Sequence, residues 1–90
     1  MNGVGYLNLL GKVVKDRVTG FSGVVTSISF DLYGCIQALV HPGIDKDKKI
    51  LEQAWFDCNR LEVVNSEPVI NQPDFVKESG PAEKPIIGKK

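Results

Sequence analysis

The stretch S-G-V-V-T-S-I-S-F, residues Ser22–Phe30, carries the clearest structural signal in this chain of 90 residues. Its side chains alternate between two sets: Val24, Thr26, Ile28 and Phe30 on one face, and Val25, Ser27 and Ser29 on the other. Period-two alternation that is rich in β-branched residues is typical of a β-strand with two different faces. The stretch therefore predicts a strand within a β-rich fold.

Short strands are also predicted on either side of this one, separated by turns that contain glycine or proline. They are Lys12–Arg17 before the turn V-T-G, Cys35–His41 before Pro42–Gly43, a strand around Ala54–Phe56, and Glu62–Val64. Within Cys35–His41, the residues Ile36, Ala38 and Val40 are predicted to share one face. Cys58–Leu61 predicts a single helical turn before the last strand. This order predicts an all-β fold, a small five-stranded SH3-like barrel with a helical turn before its last strand.

The composition divides the chain into three parts. Residues 1–11 are predicted to form an N-terminal arm or edge strand, and residues 12–64 are predicted to form the barrel. Residues 65–90 contain four of the five prolines, which lack a backbone donor and interrupt regular structure, so a flexible C-terminal tail is predicted there. A domain as small as residues 12–64 buries a limited core, and association into an oligomer is an expected supplement.

Composition and charge exclude several classes of protein. Eleven basic residues balance eleven acidic residues, so the formal net charge is zero and binding to polyanions by bulk charge is not favoured. No apolar run approaches the ~20 residues of a transmembrane helix, and Met1–Leu10 lacks the cationic segment of a secretion signal. Two cysteines do not form a disulfide framework, which favours a cytoplasmic location. Together with the lack of a long apolar run, this predicts that the chain has no membrane partner.

Three segments carry a resemblance to known proteins. They are G-K-V-V-K-D-R-V-T-G-F-S-G-V-V-T at Gly11–Thr26, Y-G-C-I-Q-A-L-V-H-P at Tyr33–Pro42, and A-W-F-D-C-N-R-L-E-V-V at Ala54–Val64. The first resembles the opening of a KOW-type SH3-like barrel, and together they resemble a group of small uncharacterised proteins encoded in phage and prophage genomes. The resemblance implies an SH3-like fold and a phage or prophage origin, hence the cytoplasm of a host cell. It implies no activity for any named residue.

Basic residues at Lys12, Lys15 and Arg17 form a candidate phosphate-contacting strip, because KOW-like barrels commonly bind nucleic acid. However, residues 12–64 contain seven basic and seven acidic side chains, and Asp16 lies inside the strip. Few counterions would be released by so few unopposed cations. A mixed-charge surface is therefore the favoured interpretation, with a nucleic-acid-binding module as an alternative.

Metal and nucleophile chemistry have little support in the sequence. Cys35, His41 and Cys58 are the soft metal ligands, and they are placed singly, without the paired spacing of a zinc site. We predict that Cys35 is a small core residue and that Cys58 lies at a turn. No metal, cofactor or catalytic residue is predicted, and the chain is not expected to be an enzyme.

The segment that contains the predicted helical turn has a charged group at each end. Asp57 is predicted to cap the turn through its side-chain oxygen. Arg60 is predicted to pair at short range with Asp57 or Glu62. Both predictions give these residues structural roles.

Aromatic residues supply the candidate binding surface. Trp55 and Phe56 are adjacent on a predicted strand, so they must point to opposite faces, one inward and one outward. An outward aromatic residue on so small a domain favours a contact surface, although the N-terminal arm or the tail is an alternative cover for it. The candidate contact residues are Phe21, Tyr33 and Trp55, with Gln37 and Arg60 as a polar rim.

These observations favour a non-enzymatic interaction protein. It would bind a host or phage protein through an aromatic-bearing face, or associate with its own copies through that face. Inhibition of a host-defence protein is one form that such binding could take. A nucleic-acid-binding KOW-like module is the first alternative. An oligomeric protein that binds a small molecule such as a nucleotide is another, and it would need Arg or Lys side chains that converge across a subunit interface.

Overall fold

The computed structural model describes residues 3–73 of the chain. In chain order the elements are the 3-10 helix η1 (Gly3–Leu9), the strands β1 (Val13–Asp16), β2 (Ser22–Phe30), β3 (Ile36–His41) and β4 (Ala54–Asp57), the 3-10 helix η2 (Cys58–Arg60), and the strand β5 (Leu61–Asn65). The predicted strands and the single helical turn before the last one are confirmed. Within the segment predicted as an N-terminal arm or edge strand, Gly3–Leu9 form a 3-10 helix.

The five strands form one antiparallel sheet in the order β4-β3-β2-β1-β5. β4 and β5 are its two edges, and no ladder joins them within residues 3–73. The predicted all-β, five-stranded fold is therefore confirmed, whereas closure of the sheet into a barrel is not.

A β-bulge in β2 decides which side chains face the core. The ladder between β2 and β3 shifts between Val25 and Ser27, which leaves Thr26 as an extra residue. Because of this insertion, Val25 and Ile28 lie on the same face although they are three positions apart. Val25 is buried and Ile28 packs against the core. The predicted grouping of Ile28 with Val24 is therefore wrong, since strict alternation ends at the bulge.

The core lies on one face of this sheet, between the sheet and η1. Its buried apolar residues are Val14, Val25, Ala38, Val40, Cys58 and Leu61. Ile36 packs against them, so the predicted inner face of β3 is confirmed. Tyr6 and Leu9 of η1 and the following Leu10 cover the same cluster.

The segment after β5 returns to the N-terminal helix. The backbone N–H of Val69 donates to the carbonyl of Gly11 at 2.8 Å. The side-chain amide of Gln72 donates to the carbonyls of Leu7 and Leu10, both at 2.9 Å. The first residues of the predicted flexible tail, 65–90, are thus bonded to the rest of the fold, and residues 74–90 lie outside the described part of the chain.

Candidate protein-binding surface

The exposed aromatic residue of β4 lies on the outer face of the sheet. Trp55 is 48% exposed, whereas its neighbour Phe56 packs against the core, as expected for adjacent strand positions. In the ladder between β3 and β4, Trp55 is opposite Leu39 and Asp57 is opposite Gln37. These four residues, Gln37, Leu39, Trp55 and Asp57, define what we call the outer face.

A second exposed surface is the turn between β2 and β3, residues 31–35, which we call the hairpin tip. Leu32 is 88% exposed and Tyr33 is 86% exposed. The carboxylate of Asp31 accepts hydrogen bonds from the backbone N–H groups of Tyr33 and Cys35, each at 2.9 Å. Gly34 has a φ of +88°, which a side chain would disfavour. The tip is therefore a well-defined turn that presents two large side chains to solvent.

The five predicted contact residues lie at three places in the fold. Gln37 and Trp55 share the outer face, and Tyr33 lies at the hairpin tip that precedes Gln37 on the chain. Phe21 instead contacts the core-facing Phe56, with ring centroids 5.1 Å apart. The guanidinium of Arg60 lies 5.4 Å from the centroid of the same ring. Phe21 and Arg60 are thus placed within the packing of the fold, away from the outer face.

Arg60 has a partner that the sequence did not indicate. Its Nε and Nη2 atoms donate to Oδ1 and Oδ2 of the buried Asp16, at 2.8 and 2.7 Å. The N–H and hydroxyl of Thr19 donate to the same carboxylate. The bond from Arg60 holds the pKa of Asp16 well below its usual range and raises the pKa of Arg60 itself. The predicted pairing of Arg60 with Asp57 or Glu62 is wrong, and Asp57 makes no side-chain capping bond.

The candidate nucleic-acid strip is interrupted by acidic side chains. Lys15 is exposed and lies opposite Glu62 in the ladder between β1 and β5. Arg17 forms an exposed ion pair with Glu62, Nε to Oε1 at 3.7 Å. Lys12 is half-buried beside η1. These three cations form no continuous unopposed row, because Asp16 is buried between two of them and Glu62 faces them from β5.

The candidate metal ligands do not converge into a site. Within residues 3–73, no three or more His, Cys, Asp or Glu side chains form a group that could hold a metal ion. Cys35 and His41 lie at opposite ends of β3, which places their backbones ~20 Å apart. The ring Nδ1 of His41 accepts the N–H of Gly43 at 3.0 Å.

Both cysteines are free thiols in different surroundings. Cys35 is exposed before β3, so the predicted core role for it is wrong; Cys58 is buried at η2, at the turn where it was predicted. The nearby carboxylate of Asp31 raises the pKa of Cys35, and burial raises the pKa of Cys58. Neither thiol is activated as a nucleophile by these surroundings.

The sequence missed two parts of the exposed surface. Leu39 lies opposite Trp55 because of the register between β3 and β4. The alternation of side chains along each strand does not predict that register. Leu32 stands in a turn, where the only signal was a large apolar residue between an aspartate and a glycine.

Comparison with known protein families, with curated proteins and with solved structures found no match to this chain. None of the helices in residues 3–73 has the length and apolar character needed to cross a membrane.

Proposed function

We propose that this chain is a non-enzymatic binding module that holds another protein against its outer face. The observation that carries the proposal is the position of Trp55, half-exposed on an edge strand and directly opposite Leu39 on the neighbouring strand. Tryptophan buries a large area at low conformational cost, and it is the residue type most enriched among dominant contacts in protein interfaces.

The edge position adds a second means of recognition. Within residues 3–73, β4 pairs with β3 alone, so its other side presents backbone groups to a partner strand. A partner that adds a strand there gains main-chain hydrogen bonds, while its side chains contact Trp55. Gln37 and Asp57 supply polar groups at the rim of the same face.

The proposal includes the setting in which the module acts. Two free thiols, Cys35 and Cys58, support a reducing cytoplasm. The resemblance of residues 11–64 to phage-encoded proteins supports a host or phage protein as the partner. The nucleic-acid alternative has no comparable observation, because Glu62 opposes Lys15 and Arg17.

The experiment uses the full chain, affinity-tagged, to capture partners from host cells with and without phage. Trp55→Ala should reduce the recovery of a protein that the wild type captures at least about tenfold. The control is Ile50→Ala, which truncates a side chain that is 75% exposed in the loop before β4, and it should leave that recovery unchanged. Trp55 is the only tryptophan, so its emission should also shift to shorter wavelength when the purified partner is added. Equal recovery by wild type and Trp55→Ala would contradict the proposal.

A further inference from the structure

The hairpin tip and a groove elsewhere on the same chain have complementary properties. The tip presents Leu32 and Tyr33, almost fully exposed, on a turn that Asp31 holds with two hydrogen bonds. Because the backbone of the turn is already ordered, little backbone conformational entropy is lost when a partner binds it.

The groove lies between η1 and the edge strand β5, and its volume is about 380 Å³. Apolar and aromatic residues form most of its walls: Tyr6 and Leu9 from η1, and Leu61 and Val63 from β5. The hydroxyl of Tyr6 donates to the side-chain carbonyl of Asn59 at 3.1 Å, which fixes one wall against η2. A groove of this size and character is suited to an aromatic or branched side chain.

The charges around the two surfaces have opposite signs. Two carboxylates flank the tip: Asp31 lies within it, and Asp57 lies opposite Gln37, two residues after the end of the tip, in the ladder between β3 and β4. Among residues 3–73, the charged residues that line the groove are Lys12, Arg17 and Glu62, so the lining carries a net positive charge. The pair between Arg17 and Glu62 spans 3.7 Å between half-exposed side chains, so it is weak and Arg17 can be shared with an incoming carboxylate.

We propose that a second copy of this chain is the occupant of the groove, and that it inserts Leu32 and Tyr33 of its hairpin tip between η1 and β5. Lys12 and Arg17 then face the carboxylates that flank the inserted tip. Two different surfaces meet in this contact, so the copy that inserts its tip keeps its groove free and the copy that receives the tip keeps its own tip free for further copies. The assembly is head-to-tail and grows into a closed ring or an open chain.

This contact uses neither Trp55 nor Leu39, the residues that carry the proposed partner site. Asp57 belongs to both surfaces, but the substitutions that test the two proposals are different, so failure of one proposal leaves the other standing. The formal net charge of the chain is zero, so no net charge repulsion between copies opposes the contact.

The test measures the mass of the full chain in solution by sedimentation or by light scattering, from micromolar to millimolar concentration. The wild type should form species larger than a monomer whose size grows with concentration. A tip variant, Tyr33→Ser, and a groove variant, Lys12→Glu, should each weaken association at least about thirtyfold. Ile50→Ser, an exposed substitution away from both surfaces, should leave association unchanged.

Mixing the tip variant with the groove variant gives the decisive result. Each chain then retains one intact surface, so the mixture should form a one-to-one dimer and nothing larger. Arg17→Glu replaces Lys12→Glu if circular dichroism shows that the latter does not fold. A wild type that stays monomeric or stops at a dimer, a mixture that does not associate, or an equal effect of Ile50→Ser would each overturn the proposal.

Discussion

The side chains of Asp16 and Arg60, 44 residues apart in the chain, form a two-bond ion pair that joins β1 to η2. The carboxylate is buried and also accepts two bonds from Thr19 in the turn after β1. A planar guanidinium fits such a carboxylate with both of its donors. This pair therefore fixes the β1 turn and the start of β5 relative to each other.

The first prediction concerns the removal of one partner of this pair. Asp16→Asn keeps the shape of the side chain but leaves the guanidinium of Arg60 without its counter-charge, so the melting temperature should fall by about 10 °C or more. Circular dichroism during heating measures the change. Glu62→Gln, which removes only the exposed pair with Arg17, is the matched control and should have little effect. A similar, small effect of both substitutions would show that the buried pair is dispensable.

The second prediction concerns the pH dependence of stability. Hydrogen bonding to Arg60 lowers the pKa of Asp16 in the folded state below its ordinary value of 3.8. The charged form is thus favoured by folding, and its contribution is complete at neutral pH. It declines as the pH falls below about 4 and is lost towards the lowered pKa.

Urea denaturation at a series of pH values measures this dependence. The wild type should lose stability between about pH 5 and pH 2, and Asp16→Asn should show a flatter profile over the same interval. Parallel profiles for the two proteins would assign the acid sensitivity to other carboxylates.

Much of this architecture follows from short-range patterns in the sequence. β2 was predicted with its observed bounds, and β3 within one residue, because β-branched residues alternate between glycine-containing turns. Because Phe56 and Trp55 are adjacent on one strand, the sequence predicts that their rings lie on opposite faces of the sheet. The structure then shows that Phe56 faces the core and Trp55 faces outward.

Features that depend on contacts between distant parts of the chain could not be predicted from these short-range patterns. The bulge at Thr26 reverses the faces within β2, and no local residue type announces it. The pairing of Arg60 with Asp16 depends on β5 returning beside β1, whereas the sequence suggested the nearest carboxylates. The groove between η1 and β5 could not be predicted either. Residues 3–9 carry no helical periodicity in the sequence, and η1 is held in place by packing of Tyr6 and Leu9 on the core.

The third prediction concerns a glycine where two strands approach closely. A Cβ atom added at Gly23 would overlap the backbone carbonyl group of His41. Gly23→Ala must therefore displace β3 from β2, at a cost of about 1–3 kcal/mol or more in the free energy of unfolding. Chemical denaturation measures the loss. Ser22→Ala, on the exposed neighbouring position, should change stability by less than about 0.5 kcal/mol. Equal stability of both variants would mean that this contact relaxes freely.

The fourth prediction concerns the two thiols, which differ in exposure but not in the direction of their pKa shift. The carboxylate of Asp31 is the main cause of the raised pKa of Cys35, with a smaller contribution from Asp57, and burial raises the pKa of Cys58. Because the thiolate is the reactive form, iodoacetamide near neutral pH should modify Cys35 more slowly than free cysteine, and Cys58 only when the fold opens.

Peptide mapping by mass spectrometry resolves the two sites in the same sample, so no cysteine variant is needed. Asp57→Asn leaves the turn at Asp31 intact and removes one of the carboxylates that act on Cys35. The variant should therefore accelerate modification of Cys35 while Cys58 stays protected by burial. If Cys35 of the wild type reacts as fast as free cysteine, its carboxylate neighbours do not control it, and the acidic surroundings assigned to the hairpin tip would be contradicted as well.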